Sequence, residues 1–159
     1  MSAEAVLEPW IQHFLTRVGI EAPDPEIAIH RRIVLALRDV GPARPLGAQL
    51  AAVRYVVRDE HAKAGERLAT ARAEHEEKVL DRKIELLQGA EKVSVALAKD
   101  IAERDAIEHR RTWLRAEQEE RTLRQFLQAI ADDLENHRTD RADQRVGDRA
   151  EASGLGGAA

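Results

Sequence analysis

The placement of proline divides this chain into two parts. All five prolines lie within the first 45 residues, and none follows. Proline breaks a helix interior because it lacks a backbone donor and clashes with the preceding turn. The rest of the 159-residue chain is rich in Ala, Leu, Glu, Arg and Gln, which favour helix. We therefore predict an all-α protein with a short head and a long helical body.

The head, residues 1–41, is predicted to be a helical hairpin with a small core around Trp10 and Phe14. Its first helix ends at Val18, where Gly19 fits the left-handed position after a helix. Its second helix is expected to start with Asp24 as cap and Pro25 in the first turn, because both residue types favour those positions. Gly41-Pro42 stops it, and residues 42–45 form a linker.

The body, residues 46–146, is predicted to be either one coiled-coil-like helix or an antiparallel helical hairpin. Gln88-Gly89-Ala90 is the best candidate for a turn, although a helix interior tolerates a lone glycine at about 1 kcal/mol. Without that turn the body would be a rod of about 150 Å. Gly65 is interpreted as internal to a helix. Residues 147–159, rich in glycine, are interpreted as a flexible tail.

Apolar residues follow a spacing of three and four along the body, which is typical of coiled-coil packing. The spacing is interrupted at Glu60/His61 and again at Glu120, and alanine occupies several of its positions. Such a thin stripe buries little surface, so we expect partner helices and a homo-oligomer. The residues assigned to the oligomer seam are Leu50, Val57, Leu68, Leu97, Leu123, Leu127, Ile130 and Leu134.

The composition limits the classes of function. Aromatic residues make up 3% of the chain and charged residues 34%, with a net charge of −4, which argues against a strongly basic duplex-DNA binder. The absence of cysteine excludes disulfides and thiol catalysis and fits a reducing compartment. No segment reaches the roughly 18 apolar residues of a membrane span, and no signal pattern opens the chain. We expect a cytoplasmic protein without membrane contact.

The sequence contains no motif that indicates an enzyme. None of the six histidines has a carboxylate three residues before it, so the Glu-x-x-His pattern of helical di-iron sites is absent. Phosphate-binding glycine loops and Gly-x-Ser-x-Gly turns are absent as well. We expect no catalytic residues, no metal, no cofactor and no small-molecule substrate.

Arginine placement supplies the candidate binding residues. One patch contains Trp113, and in a continuous helix Arg104, Arg111 and Arg115 would lie within about 40° of one another. Guanidinium groups suit phosphates and an aromatic ring can stack a base, as in single-strand binders. The alternative is a solvated mixed-charge face with Trp113 as a core anchor. The candidate nucleic-acid-binding residues are Arg104, Arg110, Arg111, Trp113 and Arg115, with Arg138, Arg141 and Arg145 in a second stripe that continues to Arg149.

The run from Ile101 to Arg110, Ile-Ala-Glu-Arg-Asp-Ala-Ile-Glu-His-Arg, resembles the C-terminal helical segment of UvsY-type recombination mediators of tailed phages. The segment from Leu123 to Arg145 also resembles short all-helical proteins of actinobacterial phages. The resemblance implies an oligomeric accessory protein, in a host cytoplasm, that binds single-stranded DNA and helps to load a recombinase where a single-strand binding protein sits. It covers Arg104 and Arg110 of the basic patch. The alternative is a scaffolding coiled coil without a nucleic-acid role.

Overall fold

The computed structural model describes residues 7–24, 26–89 and 93–154. Within these ranges the chain forms helices and no strand, which confirms the predicted all-α class. The described helices are α1 (Pro9–Arg17), α2 (Ala28–Val40), α3 (Leu46–Gln88), α4 (Val95–Asp105) and α5 (Ile107–Gly154).

The ends of the head helices follow local backbone chemistry. Pro9 opens α1, and Gly19 and Gly41 adopt φ values of 85° and 80° just beyond α1 and α2, a conformation that glycine adopts without strain. The predicted start of α2 is wrong, because the helix begins at Ala28. The Asp24 carboxylate instead accepts a hydrogen bond of 2.8 Å from the backbone of Glu26 and closes a turn before the helix. Pro25 itself lies outside the described residues.

The long body is broken where the sequence predicted a turn. α3 ends at Gln88 next to Gly89, while Gly65 lies inside α3 as expected; Ala90 lies outside the described residues. α3 packs with α5, so the hairpin is confirmed over the rod. Beyond the turn, Ser94 caps α4 by accepting a hydrogen bond of 3.3 Å from the backbone of Leu97.

Two features of the second arm differ from the sequence prediction. A single turn residue, Ala106, separates α4 from α5, although neither proline nor glycine marks the position. In addition, α5 continues to Gly154, whereas a tail was expected from residue 147. Residues 155–159, the rest of the predicted tail, lie outside the described residues.

The chain divides into two compact units, and the first consists of Met1–Arg58 with Gln125–Ala159. The head therefore shares a unit with the start of α3 and the later part of α5, and the linker at residues 42–45 does not separate it from them. Trp10 is only half-buried, so the core is not centred on it. The buried apolar residues of this unit include Ile11, Phe14, Leu15, Ile33, Leu37, Leu50, Val53, Val57, Ile130 and Leu134.

The second unit, Asp59–Arg124, is built on alanine. The buried apolar residues of its described part are all alanines, namely Ala64, Ala71, Ala98, Ala102 and Ala106. Alanine lets helices approach closely and buries little area, as the thin stripe predicted. Leu97 is 52% exposed in the single chain, whereas Ala98 and Ala102 face inward, so its assignment to an oligomer seam stays a prediction.

Most of the other residues assigned to an oligomer seam are already covered within one chain. Leu50, Val57 and Ile130 are fully buried, and Leu134 is nearly so. Leu68, Leu123 and Leu127 are partly buried. These positions stabilise the single chain and do not offer a free apolar surface to a second copy. Their spacing is therefore no longer a reason to expect an oligomer, and the oligomer stays a prediction.

The two interruptions in the apolar spacing meet each other in the second unit. His61 Nε2 lies 2.8 Å from Glu120 Oε1, and Arg124 donates to the same oxygen at 2.7 Å from the next turn of α5. Only 7% of Glu120 is exposed. A polar pair at a packing position disfavours shifted registers, since any shift of α3 against α5 would separate the buried Glu120 carboxylate from His61. The interruptions are thus a matched pair.

The burial pattern predicts opposite outcomes for two leucines. Leu50→Ala should lower the free energy of unfolding by about 2–5 kcal/mol, because it empties a fully buried site. Leu97→Ala should change it by about 0.5 kcal/mol or less, because that side chain is exposed. Urea denaturation followed by circular dichroism measures both. A large loss for Leu97→Ala would show that the residue is packed.

The Glu120 contacts predict a specific dependence of stability on pH. The hydrogen bonds from Arg124 and His61 lower the pKa of Glu120 below its ordinary value of 4.5. The ionised carboxylate therefore stabilises the folded state above about pH 4.5, and this contribution is lost as pH falls through the lowered pKa. Glu120→Gln should melt at a lower temperature than wild type at neutral pH, and the difference in melting temperature should narrow as the pH falls below 4.5. A gap that stays constant across thermal melts would contradict the assignment.

Candidate nucleic-acid interface

The first arginine patch is divided between two helices. Arg104 lies near the end of α4, whereas Arg110, Arg111 and Arg115 lie on α5, so the angle calculated for one continuous helix does not apply across Ala106. Arg111 pairs with Glu108 at 2.5 Å, and Arg104 lies 3.8 Å from Asp105. Arg110 and Arg115 are exposed. The patch is a partly neutralised surface and not a single cationic stripe.

Trp113 is engaged by other side chains of its own unit. Its ring centroid lies 5.3 Å from that of His75 at an angle of 42°, and the Arg72 guanidinium lies 5.9 Å from the Trp113 ring. The residue is half-buried, and both His75 ring nitrogens are buried without a hydrogen-bond partner in the described part of the chain. These contacts favour the interpretation of Trp113 as a packing residue over that of a base-stacking residue.

The second stripe lies in the other unit, and two of its arginines line a groove. Arg138, Arg141 and Arg145 are exposed on α5, and Arg138 lies 3.8 Å from Glu135. Arg138 and Arg141 line a cavity of about 490 Å³ with residues from the first turns of α3. We call this cavity the arginine groove. It is lined by Pro45, Gly47, Ala48, Ala51, Arg54, Tyr55, Arg58, Leu134, His137, Arg138 and Arg141.

The charge of the arginine groove is of one sign. Four of its lining residues are arginines and none is acidic. The described contacts of Arg54 and Arg141 include no ion pair, so these guanidinium groups have donors free for an anion.

A cavity of about 660 Å³ in the second unit is lined by both acidic and basic residues. There Lys63, Arg67 and Arg115 lie among Glu66, Glu74 and Glu119, and Arg67 is bound to Glu119 at 2.6 Å.

An aromatic ring forms part of the groove wall. Tyr55 is 66% exposed, and the Arg58 guanidinium lies 5.3 Å from its ring centroid. On the opposite helix, the ring of His137 approaches Gly47 so closely that a Cβ there would lie 3.0 Å from the imidazole. His137 Nε2 is buried with no hydrogen-bond partner in the described ranges. Gly47 thus permits the close approach of α5 to α3 beneath the groove.

The sequence prediction found half of this groove. Arg138 and Arg141 were assigned, but Arg54, Tyr55 and Arg58 were missed because they look like ordinary polar positions between Leu50, Val53 and Val57. The sequence feature that could have indicated them is the pair Arg54 and Arg58, one helical turn apart, with Tyr55 between them. Pairing the start of α3 with the later part of α5 would have placed the two sets opposite each other.

The described ranges hold no group of three or more His, Cys, Asp or Glu side chains placed to bind a metal ion. None of the described helices has the length and apolar character to cross a membrane. Comparisons with family models, curated proteins and solved structures find no match for this chain. The candidate interface therefore stands on the geometry of the groove.

The contacts of Trp113 predict that its removal affects folding and not binding. Trp113→Ala should cost about 1–3 kcal/mol, below the 3–5 kcal/mol of a fully buried aromatic, while Trp113→Phe should cost less because it keeps a ring against His75. Affinity for a fluorescent single-stranded oligonucleotide should be unchanged in both variants. Thermal melts and fluorescence polarisation give the two readouts. A loss of affinity without a loss of stability would restore Trp113 to the interface.

Proposed function

We propose that this protein is a non-enzymatic helical accessory protein that binds single-stranded DNA in the arginine groove. The observation that carries the proposal is the convergence of four arginines, from two helices of one compact unit, on a cavity with no acidic lining residue. Guanidinium groups match the geometry of phosphate oxygens and remain charged at every relevant pH. A chain with a net charge of −4 has no general attraction for nucleic acid, so a local cluster is needed.

The arrangement of the arginines suits an extended strand. Arg54 and Arg58 are four residues apart on α3, and Arg138 and Arg141 are three residues apart on α5, so each pair spans about one helical turn along its axis. Two such rows facing a groove contact successive phosphates of one strand. The resemblance to recombination mediators adds to the proposal a homo-oligomer that acts with a recombinase or a single-strand binding protein. Repetition of the groove in an oligomer would raise its affinity through avidity.

A second candidate function is scaffolding through protein contacts. One face of α3 carries Leu80, Ile84 and Leu87 at a spacing of four and three, and all three side chains are exposed. An exposed apolar stripe of this kind is typical of a helix that packs against a partner. This surface lies in the other compact unit, so it does not exclude binding in the groove.

Neutralising the groove should weaken binding and its dependence on salt. Four phosphate contacts predict a slope of about −3 for log affinity against log salt concentration, since each contact contributes about −0.7. Arg54→Gln with Arg58→Gln, or Arg138→Gln with Arg141→Gln, should lower the affinity and make the slope shallower by about 0.7 per arginine removed. Fluorescence polarisation with a labelled oligonucleotide at several salt concentrations measures both quantities.

Two double variants serve as controls with the same change of charge. Arg110→Gln with Arg115→Gln neutralises the first patch, and Arg17→Gln with Arg31→Gln removes exposed arginines of the same unit that do not line the groove. Both should bind like wild type. Equal losses in all variants would indicate nonspecific attraction, and a loss only at Arg110 and Arg115 would move the interface to the first patch. Absence of binding by wild type at low salt would leave the scaffolding function.

A further inference from the structure

We infer that Tyr55 is a stacking platform for an unpaired base, so that the groove recognises whole nucleotides and not the phosphate chain alone. This inference rests on the proposed function, because it assigns the ligand class of the same groove. Tyr55 is the chain's only tyrosine and is 66% exposed. A ring this exposed adds little to the core, whereas aromatic faces in single-strand binders take successive bases.

The environment of Tyr55 keeps the ring beside the groove. Val53, Val56 and Val57 on either side are buried, so the backbone of this turn is held by the core of the unit. The Arg58 guanidinium lies 5.3 Å from the ring centroid, close enough for a cation–π contact. A base can stack on an aromatic face or on a guanidinium plane, and the pair supplies both surfaces together.

The neighbours of Tyr55 supply the other half of a nucleotide site. Arg54 precedes it in the chain, and Arg138 and Arg141 line the same cavity from α5. A nucleotide carries its base and its phosphate on one sugar, so a site for it needs a flat apolar surface and cations within a few ångströms. The cavity volume of about 490 Å³ lies within the range of small-ligand pockets, about 300–1,000 Å³.

The same chemistry disfavours duplex DNA. Paired bases are already stacked on their neighbours, and extruding one costs a few kcal/mol before Tyr55 could contact its face. A strand with unpaired bases bears no such cost. Trp113, the ring first assigned to stacking, is occupied by His75 and Arg72 in the other unit. Tyr55 is therefore the aromatic ring that combines exposure with a cationic cavity.

A cycle of two variants and two ligands tests the stacking. Tyr55→Phe keeps the ring and should bind a thymidine oligonucleotide within about twofold of wild type, whereas Tyr55→Leu keeps apolar bulk and should bind about tenfold or more weakly. An abasic strand of the same length keeps every phosphate. Wild type should bind the abasic strand about tenfold more weakly than the normal strand. Tyr55→Leu should bind the two strands equally, because loss of the tyrosine ring and loss of the bases remove the same stacking interaction.

A spectroscopic measurement separates stacking from an indirect effect on folding. The full chain labelled with 3-fluorotyrosine gives one fluorine resonance, because there is one tyrosine. We expect that resonance to shift with the normal strand through the ring current of a stacked base, and to shift much less with the abasic strand. Tyr55→Leu should melt close to wild type, since the ring is exposed.

The outcomes distinguish this inference from the function on which it rests. Equal binding of normal and abasic strands by wild type, with Tyr55→Leu unchanged, would overturn stacking and leave a phosphate-binding groove. Equal affinity for a matched duplex would also overturn it. Failure of wild type to bind any strand at low salt would overturn both the inference and the proposed function.

Discussion

The candidate interface depends on the apolar packing of the unit formed by Met1–Arg58 and Gln125–Ala159. Leu50, Val53 and Val57 are fully buried on the first turns of α3, and Ile130 and Leu134 are buried on α5. Burial of such side chains contributes about 1.5–3 kcal/mol each relative to exposure. Because a helix advances about 100° per residue, burying Val53 and Val57 leaves Arg54 and Arg58 at the edge of the packed face. The positions of the arginines thus follow from the core that they border.

The second unit is held by a different balance of interactions. Its buried apolar residues in the described part are alanines, which contribute little hydrophobic burial, and its packing face includes a carboxylate held by His61 and Arg124. A buried ionic group is weak evidence for stability, but removal of its partners is costly. We interpret His61 and Glu120 as a pair that determines how the helices of this unit align, in place of the larger apolar side chains that determine alignment in the first unit.

Local rules predicted local structure here, and they failed where tertiary contacts decide. Proline and glycine placement predicted the C-terminal ends of the head helices, the turn at Gly89 and the all-α class, since these residues act through backbone geometry alone, but it did not predict the start of α2. Neither proline nor glycine marks the break at Ala106. Ala98 is buried while the more hydrophobic Leu97 is exposed, which shows that close approach of the helices favours the smaller side chain. In the candidate site, the arginines of α5 were predictable from their spacing. Those of α3 carry a weaker local signal, two arginines around Tyr55, and its significance depends on residues about 80 positions away in the chain.

The negative net charge of the chain does not exclude the proposed anionic ligand, because electrostatic repulsion is short-ranged in salt. Electrostatic interactions between exposed charges are screened beyond about 10 Å at 0.1 M salt, so the net charge of −4 acts weakly at the groove while its arginines act at contact range. Under the proposed function, the protein gains no long-range steering towards nucleic acid and depends on short-range contacts with a strand that fits the groove. Arginines alone would accept any polyanion, including an acidic peptide. An aromatic ring among them adds a surface that nucleotides use and acidic peptides largely do not, which is why the exposure of Tyr55 bears on function more than the number of arginines does.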